Sequence, residues 1–321
     1  LVPGSRVEIS DMAIEAGTAA WTQGIELQSL PQGVAAPSTD RTLVFSGWVE
    51  GESGPITWHA KALATSYLSK PNTRVQKEDC TELAFPFPTT SVFFLDAVDA
   101  DLPDNCYAIL AFGDSLTNGT FSTLNGFDRW TDVLQRLLIG RGRTDAAVVN
   151  AGIGGNQVLS PLSIDQPWRG GPAAIERLER DVLSLSGIKT VIWLEGINDF
   201  SDNGNAELES VTSAMTQAVH RLRAAGIRVI GATLPSAFKS TRQGHGHSLQ
   251  NEKRKAFNQF ILTSGLHDAV VDIDKVLTNS NTGCLDALFD SDNTLGGPGD
   301  GLHPNRAGHA AMANEILKAI L

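Results

Sequence analysis

The sequence has little cysteine and no long apolar run, and both features narrow its chemistry. Its three cysteines, Cys80, Cys106 and Cys284, are far apart and form no C-x-x-C motif, so we expect no cysteine-based metal centre. A single disulfide between Cys80 and Cys106 and three free thiols fit this spacing equally well. No apolar run approaches the roughly 18 residues of a transmembrane helix, so we expect no membrane span.

Basic residues are also scarce, which bears on the partners of the protein. The chain has 25 Lys and Arg against 36 Asp and Glu, which gives a net charge of −11 at pH 7. Such a balance argues against binding to nucleic acid or to an anionic membrane surface. With 321 residues, 41% of them hydrophobic, the chain can bury a sizeable core, and its length suggests two domains.

The first third of the chain has the pattern of a β-rich domain. Leu1–Ser5 resembles the scar of a protease site and is excluded from the fold. Turn clusters, including Phe85–Pro88, separate short β-rich runs, and Asp101–Asn105 is the expected boundary. We therefore predict an all-β domain of sandwich or jelly-roll type over residues 6–105. The predicted strands include Thr42–Val49, Ile56–Trp58 and Ser91–Leu95.

Apolar strands alternate with amphipathic helices from Tyr107 onward. This alternation predicts an α/β domain over residues 106–321, in which a parallel sheet has helices on both faces. The predicted strands are Ala108–Phe112, Ala146–Val149, Thr190–Leu194, Arg228–Thr233 and Ala269–Ile273. The predicted helices are Trp130–Ile139, Ala173–Leu185, Glu207–Ala225, Gln250–Ser264 and Asn305–Ile320.

A serine follows the first of these strands, in the stretch Phe112–Gly119. Because open α/β sheets bind ligands at the carboxyl ends of their strands, Ser115 is a candidate nucleophile at the start of a helical turn. The alternative is that Ser115 only caps that helix. The loops after the later strands carry the groups that such a nucleophile would need.

Two of those loops could stabilise negative charge. Asn150–Asn156 contains three glycines, but Gln157 replaces the last glycine of a dinucleotide-binding motif, so the loop suits an oxyanion or is a plain turn. In Glu195–Asp199, the side chain of Asn198 could donate its amide to an oxyanion or cap the next segment.

A histidine near the carboxyl terminus follows an aspartate by three residues. Asp300 can accept the Nδ1–H of His303, which fixes the tautomer and leaves Nε2 free to take a proton from a serine. The alternative is a structural Asp–His pair. The presence of the serine, the oxyanion loop and the amide at the same predicted edge favours catalysis.

These motifs together resemble those of the SGNH, or GDSL, hydrolase superfamily over Ala108 to the end of the chain. Gly113–Leu116 resembles the nucleophile block, Asn150–Gly155 the second, Gly196–Asp199 the third and Asp300–His303 the last. With the β-rich first part, the arrangement is similar to secreted two-domain GDSL esterases, some of them associated with xylan breakdown. Compared with those, the β-domain lacks its first strands.

The resemblance implies a three-layer α/β/α domain and a role for each motif residue. Ser115 would be the nucleophile, His303 the general base and Asp300 its orienting partner. The backbone N–H groups of Ser115 and Gly155 and the side chain of Asn198 would form the oxyanion hole. This chemistry requires no cofactor.

Other residues of the sequence are candidates for the substrate pocket or for a metal site. Asp114, Asn156 and Trp168 are candidates for the substrate pocket. His245–His247 has no carboxylate at ligand spacing, and Asp290–Leu295 lacks the glycine that a calcium loop requires, so no metal is predicted.

The sequence therefore predicts a secreted serine esterase that acts on short acyl esters, as a small-molecule or carbohydrate ester substrate. Acetyl groups on plant polysaccharide are the expected target by analogy. An acyltransferase that uses the same site and a carbohydrate-binding protein with a silent hydrolase domain are the alternatives.

Overall fold

The computed structural model describes residues 20, 45, 47, 49, 52–53, 56–71, 83–166, 169–290 and 298–321. The chain forms two compact units, one of residues 1–53 with 98–103 and the other of residues 54–97 with 104–321. Most of the first unit, including most of the predicted strand Thr42–Val49, lies outside the described residues. The division into domains of residues 6–105 and 106–321 therefore stays a prediction.

A five-stranded parallel sheet forms the centre of the second unit. The prediction of an α/β domain is confirmed, although the strand ends differ by one to three residues. The apolar residues of the inner strands, such as Ile109 and Leu110, are completely buried. In their order across the sheet, the strands are β6 (Ala146–Gly152), β5 (Tyr107–Gly113), β7 (Ile188–Leu194), β8 (Arg228–Ala232) and β9 (Ala269–Val271).

Helices follow the strands as the apolar periodicity predicts. α2 (Trp130–Gly140) packs against α8 (Arg306–Ile320), and α4 (Leu208–Ala224) packs against α5 (Ser248–Thr263). Instead of one helix over Ala173–Leu185, the chain forms α3 and then a π-helical turn, Glu179–Leu183. The helices are α1 (Ser115–Asn118), α2 (Trp130–Gly140), α3 (Ala174–Leu178), α4 (Leu208–Ala224), α5 (Ser248–Thr263), α6 (Ile273–Leu277), α7 (Ala287–Asp290) and α8 (Arg306–Ile320).

The strand order determines where a ligand can bind. The chain passes from β5 to β6 on one side and then returns to β7 on the other side of β5. Such a reversal opens a crevice at the carboxyl ends of the strands, where open α/β sheets bind their ligands. Ser115 follows β5 and Asn198 follows β7, so both lie beside this crevice.

Two small antiparallel sheets precede the parallel sheet. β1 (Trp58–His59) pairs with β4 (Val92–Phe93), and β2 (Ser66–Leu68) pairs with β3 (Phe87–Thr89). The prediction that Phe85–Pro88 is only a turn cluster is wrong, because Phe87 and Pro88 belong to β3. Proline is tolerated there because a strand of a two-stranded sheet has one edge free of ladder hydrogen bonds. The jelly-roll or sandwich form of this region stays a prediction.

His59 of β1 and the residues that follow it contact the end of α1 and the residue that precedes α2. His59 Nε2 lies 2.7 Å from Asn118 Oδ1, and Asn118 Nδ2 donates to the Lys61 carbonyl at 3.4 Å. The Arg129 guanidinium donates to the carbonyl of Ala62. This segment therefore supports the end of α1, one turn beyond Ser115.

The described residues also bear on the thiols and on membrane insertion. Cys106 and Cys284 are free cysteines, and Cys80 lies outside the described residues. Among the described helices, none is both long and apolar enough to cross a membrane.

Gly113, the last residue of β5, should tolerate no side chain. A Cβ atom there would lie 2.3 Å from the Leu194 carbonyl oxygen and 2.3 Å from Thr117 Oγ1. We expect Gly113→Ala to lower the free energy of unfolding by about 1–3 kcal/mol through overpacking. Urea denaturation measures this change. Gly140→Ala is the control, because a Cβ there meets nothing within 4 Å, and equal stabilities of the two variants would contradict the prediction.

Candidate active site

The turn after β5 presents Ser115 at the start of a short helix. Asp114 is the N-cap, and its Oδ1 accepts the backbone N–H of Leu116 at 2.8 Å. Gly119 ends the helix in the left-handed conformation, with φ of 92°. Because caps at both ends fix this single helical turn, Ser115 is held in one orientation, with 7% of its surface exposed.

A chain of hydrogen bonds joins Ser115, His303 and Asp300. The Ser115 Oγ lies 2.8 Å from His303 Nε2, and His303 Nδ1 lies 2.7 Å from Asp300 Oδ2. The other oxygen of Asp300 accepts the backbone N–H groups of Leu302 and His303, at 3.0 and 2.9 Å. The aspartate is thereby fixed in the position from which it orients the imidazole.

The environment of Asp300 keeps its carboxyl ionised. Burial opposes ionisation, but the hydrogen bond and positive charge of His303 and two backbone N–H groups outweigh it and lower the pKa of Asp300 to about 2. A carboxylate that stays ionised can stabilise the imidazolium that forms when His303 accepts a proton.

Two other loops hold the Asp–His pair in place. Ser240 Oγ donates to the Asp300 carbonyl at 2.6 Å, and the Thr241 N–H donates to the same oxygen at 3.0 Å. The ring of Phe121 packs edge-on against the ring of His303, with 5.5 Å between centroids. Phe121 has φ of 72°, a conformation unusual for a residue with a side chain. Packing against His303 therefore coincides with a strained backbone.

The proposed oxyanion donors occupy three neighbouring loops. Among the described residues, the N–H groups of Ser115 and Gly155 donate to no protein acceptor. Gly155 has φ of 83°, which favours glycine at this turn. Asn198 Nδ2 donates one hydrogen to the Asn156 carbonyl at 2.9 Å, which leaves its second N–H for another acceptor. The sequence predicts that these groups lie at one edge of the sheet. The parallel register of β5 with β6 and β7 places the ends of these three strands at that edge.

Two of the candidate pocket residues lie beneath the site and not on a pocket wall. Asp114 and Asn156 have no exposed surface. Asn156 Nδ2 donates to the carbonyls of Gly170 and Pro172, both at 2.7 Å, so its side chain fastens the following loop. Both residues are polar because they satisfy buried backbone groups. Trp168, the third candidate, lies outside the described residues.

The histidines near the site do not form a metal centre in the described part of the chain. His245 Nδ1 lies 2.8 Å from Gln250 Nε2, and His247 Nε2 lies 3.4 Å from Asp202 Oδ2. Burial, and then the charge of His303, lowers the pKa of His245 to about 4. Among the described residues, no group of three or more His, Cys, Asp or Glu side chains is arranged to hold a metal ion.

The sequence reading missed Arg177, a buried cation beneath the site. Its side chain donates to the Gly113 carbonyl at 3.0 Å, to the Ala151 carbonyl at 2.8 Å and to Asn156 Oδ1 at 2.8 Å. Helical periodicity could have found it, because Arg177 lies three residues after the buried Ala174, on the inward face of the predicted helix.

The low pKa of Asp300 predicts how acid affects stability. A carboxyl with a lowered pKa contributes stability above its ordinary pKa of 3.8, and this contribution is lost as the pH falls toward about 2. We expect wild-type protein to lose more stability than Asp300→Asn between pH 4 and pH 2. Urea denaturation across this range tests it, with Asp104→Asn, at an exposed position, as the control, and parallel curves for wild type and Asp300→Asn would contradict it.

Comparison with known proteins agrees with the fold. The family model of the GDSL-like lipase/acylhydrolase family matches residues 111–311. No curated protein matches the chain. An inhibitor-bound aryl esterase of M. smegmatis has 18% identity and a TM-score of 0.51, over 67% of this chain and 98% of its own.

Two further solved structures resemble the chain less closely in fold. A lipase/acylhydrolase of Enterococcus faecalis has 21% identity and a TM-score of 0.49, over 67% of this chain and 95% of its own. A carbohydrate acetylesterase of Sinorhizobium meliloti has 17% identity and a TM-score of 0.48, over 67% and 98%. Because the family model spans more than half of the sequence, the protein belongs to the GDSL-like lipase/acylhydrolase family.

Proposed function

We propose that the protein is a serine esterase that hydrolyses short-chain acyl esters. The observation that carries this proposal is the hydrogen-bonded chain from Ser115 through His303 to Asp300, with distances of 2.8 and 2.7 Å. The protein belongs to a family of acylhydrolases, and these two hydrogen bonds have the geometry required to activate a serine hydroxyl.

In the first step, the hydroxyl of Ser115 becomes the nucleophile. His303 Nε2 removes its proton as Oγ forms a bond to the ester carbonyl carbon, and the carbonyl π electrons move to oxygen. Asp300 accepts the Nδ1–H of the resulting imidazolium and stabilises its charge. The pair thereby supplies a general base at the position where the proton is released.

The negative oxygen of the tetrahedral intermediate needs donors that are already in place. We assign this role to the backbone N–H groups of Ser115 and Gly155 and to the free N–H of Asn198. The bond from Asn198 to the Asn156 carbonyl fixes the amide, so little reorganisation accompanies the reaction.

The intermediate then collapses in two stages. His303 gives its proton to the departing alcohol oxygen as the bond from carbon to that oxygen breaks, which leaves an acyl group on Ser115. A water molecule, deprotonated by His303, then attacks the acyl carbon. The bond from this carbon to Ser115 Oγ breaks, His303 returns the proton to Oγ, and the acid is released. No step requires a cofactor.

The substrate class follows from the resemblance of the sequence. Secreted GDSL esterases associated with xylan breakdown share its motifs and its β-rich first part, so acetyl groups on plant polysaccharide or its fragments are the proposed substrate. A secreted location rests on the same resemblance.

Release of p-nitrophenol from acetyl, butyryl and octanoyl esters tests the proposed function. We expect turnover to fall with chain length, and Ser115→Ala to reduce it on the order of 10⁶-fold, because the nucleophile is lost. Ser213→Ala, on the exposed side of α4, is the control and should retain full activity. Unchanged turnover in Ser115→Ala would refute the assignment, and a rise with chain length would refute the short-chain preference.

Asn198→Ala tests the oxyanion hole separately. Because the donor acts mainly in the transition state, we expect kcat to fall by about 10²–10³-fold while KM changes little. Steady-state kinetics on the acetyl ester measure both constants, and circular dichroism checks that the variant is folded. A change confined to KM would show that Asn198 binds substrate and does not stabilise the intermediate.

A further inference from the structure

Two residues with carboxyl side chains follow directly on paired positions at the ends of β5 and β7. In the sheet, Gly113 pairs with Leu194, and the residues that follow them are Asp114 and Glu195. Neighbouring strands are about 4.8 Å apart, and in-register residues of parallel strands point to the same face. The two side chains therefore leave adjacent strands at the same level, directly before Ser115.

Solvent reaches neither carboxyl group. Asp114 and Glu195 are both 0% exposed. Asp114 Oδ1 accepts the N–H of Leu116, but Asp114 Oδ2 and both oxygens of Glu195 have no hydrogen-bond partner. Two adjacent carboxylates in this state would repel each other without water or donors to stabilise them.

The nearby guanidinium of Arg177 does not neutralise the pair. Its Nη2 is 3.6 Å from Glu195 Oε2, beyond hydrogen-bond distance. Arg177 makes a shorter ion pair with Asp181, at 2.9 Å, and its donors bind Gly113, Ala151 and Asn156. The positive charge of Arg177 is thus already shared with a different carboxylate.

A third buried carboxyl adds to the excess of acid. Asp199 accepts the backbone N–H groups of Val158 and Leu159, and burial raises its pKa to about 7. Arg177 therefore interacts with three carboxyl groups, and a fourth lies near enough to act on Asp114 and Glu195. These are Asp114, Asp181, Glu195 and Asp199.

The donors around each group indicate where a proton resides. Burial, and then the charge of Asp114, raises the pKa of Glu195 well above its ordinary value. Burial also raises the pKa of Asp114, to about 7, although the Leu116 N–H favours its charged form. Neither oxygen of Glu195 has such a hydrogen bond, and burial and the charge of Asp114 outweigh the Arg177 charge and the nearby Gly196 N–H, so Glu195 takes the proton first.

We propose that Glu195 is a neutral carboxylic acid at neutral pH whose hydroxyl donates a hydrogen bond to Asp114. Asp114 then has a donor for each oxygen, the Leu116 N–H for Oδ1 and Glu195 for Oδ2. Glu195 becomes a positioning residue, since it anchors the N-cap of the turn that carries Ser115. Its effect on catalysis rests on the proposed role of Ser115 as nucleophile.

Infrared spectroscopy tests the protonation directly. The folded wild-type protein at neutral pH should show the C=O band of a protonated carboxyl, and Glu195→Gln should lose it. Glu176→Gln, at an exposed position on α3, should leave the band unchanged. No difference between wild type and Glu195→Gln would overturn the proposal. The infrared band does not depend on esterase activity. Its absence would overturn only the protonation of Glu195, whereas retained activity in Ser115→Ala would overturn the proposed function.

Stability gives a second readout with a defined sign. The folded wild type retains a proton that an unfolded Glu195, with an ordinary pKa of 4.5, loses as the pH rises. Between about pH 5 and pH 7, its unfolding equilibrium constant should therefore increase relative to that of Glu195→Gln by up to about tenfold per pH unit. A ratio that stays constant with pH would overturn the proposal.

Kinetics separate the proton from the shape of the side chain. Glutamine can donate an N–H to Asp114, so kcat of Glu195→Gln should stay within about threefold of wild type, whereas Glu195→Leu, without a donor, should lose about tenfold or more. KM should stay similar in both. Loss of activity in Glu195→Gln equal to that in Glu195→Leu would show that the negative charge matters, which contradicts the proposal.

Discussion

The buried guanidinium of Arg177 is the interaction on which the geometry of the site depends. It lies 3.9 Å above the ring of Phe112 and is 1% exposed, so every N–H must be satisfied within the protein. Its acceptors include the strand-end carbonyls of Gly113 and Ala151. Because a guanidinium is planar and its donors point in fixed directions, it sets the spacing between the ends of β5 and β6. The loops that continue from these strands carry Ser115 and Gly155.

The irregular helix that carries Arg177 fits this role. α3 ends at Leu178, and the next five residues form a π-helical turn that contains Asp181. This turn places the Asp181 carboxylate 2.9 Å from Arg177 Nη1, so the cation is neutralised on its own helix. π-helical turns cost backbone regularity and occur often near functional sites. Asp181 neutralises the guanidinium, and the other hydrogen bonds of Arg177 go to the strand-end carbonyls and to Asn156.

The sequence predicted the α/β sheet and the position of the Ser–His–Asp chain, because apolar runs and closely spaced motifs are local signals. It did not predict β2 and β3, since strands of three residues show no clear alternation. It also placed Asp114 and Asn156 on the pocket wall, although both are buried. A polar residue beside a catalytic one has the same local pattern whether it faces substrate or a buried backbone group. Arg177 was missed for another reason: helical periodicity places it on the inward face with Ala174, but an arginine on an amphipathic helix is ordinarily assigned to the solvent face.

The proposed nucleophile and general base are nearly buried. Ser115 is 7% exposed and His303 is 4% exposed, so both groups meet solvent over only a small part of their surface. In such an environment the dielectric constant is low, and fixed dipoles act more strongly on developing charge than they would in water. The same low dielectric makes an unpaired buried charge costly, which is why each polar group below Ser115 has to be neutralised, hydrogen-bonded or protonated. Burial at this edge of the sheet therefore strengthens the electrostatic interactions of the proposed catalytic groups and requires the polar network beneath them.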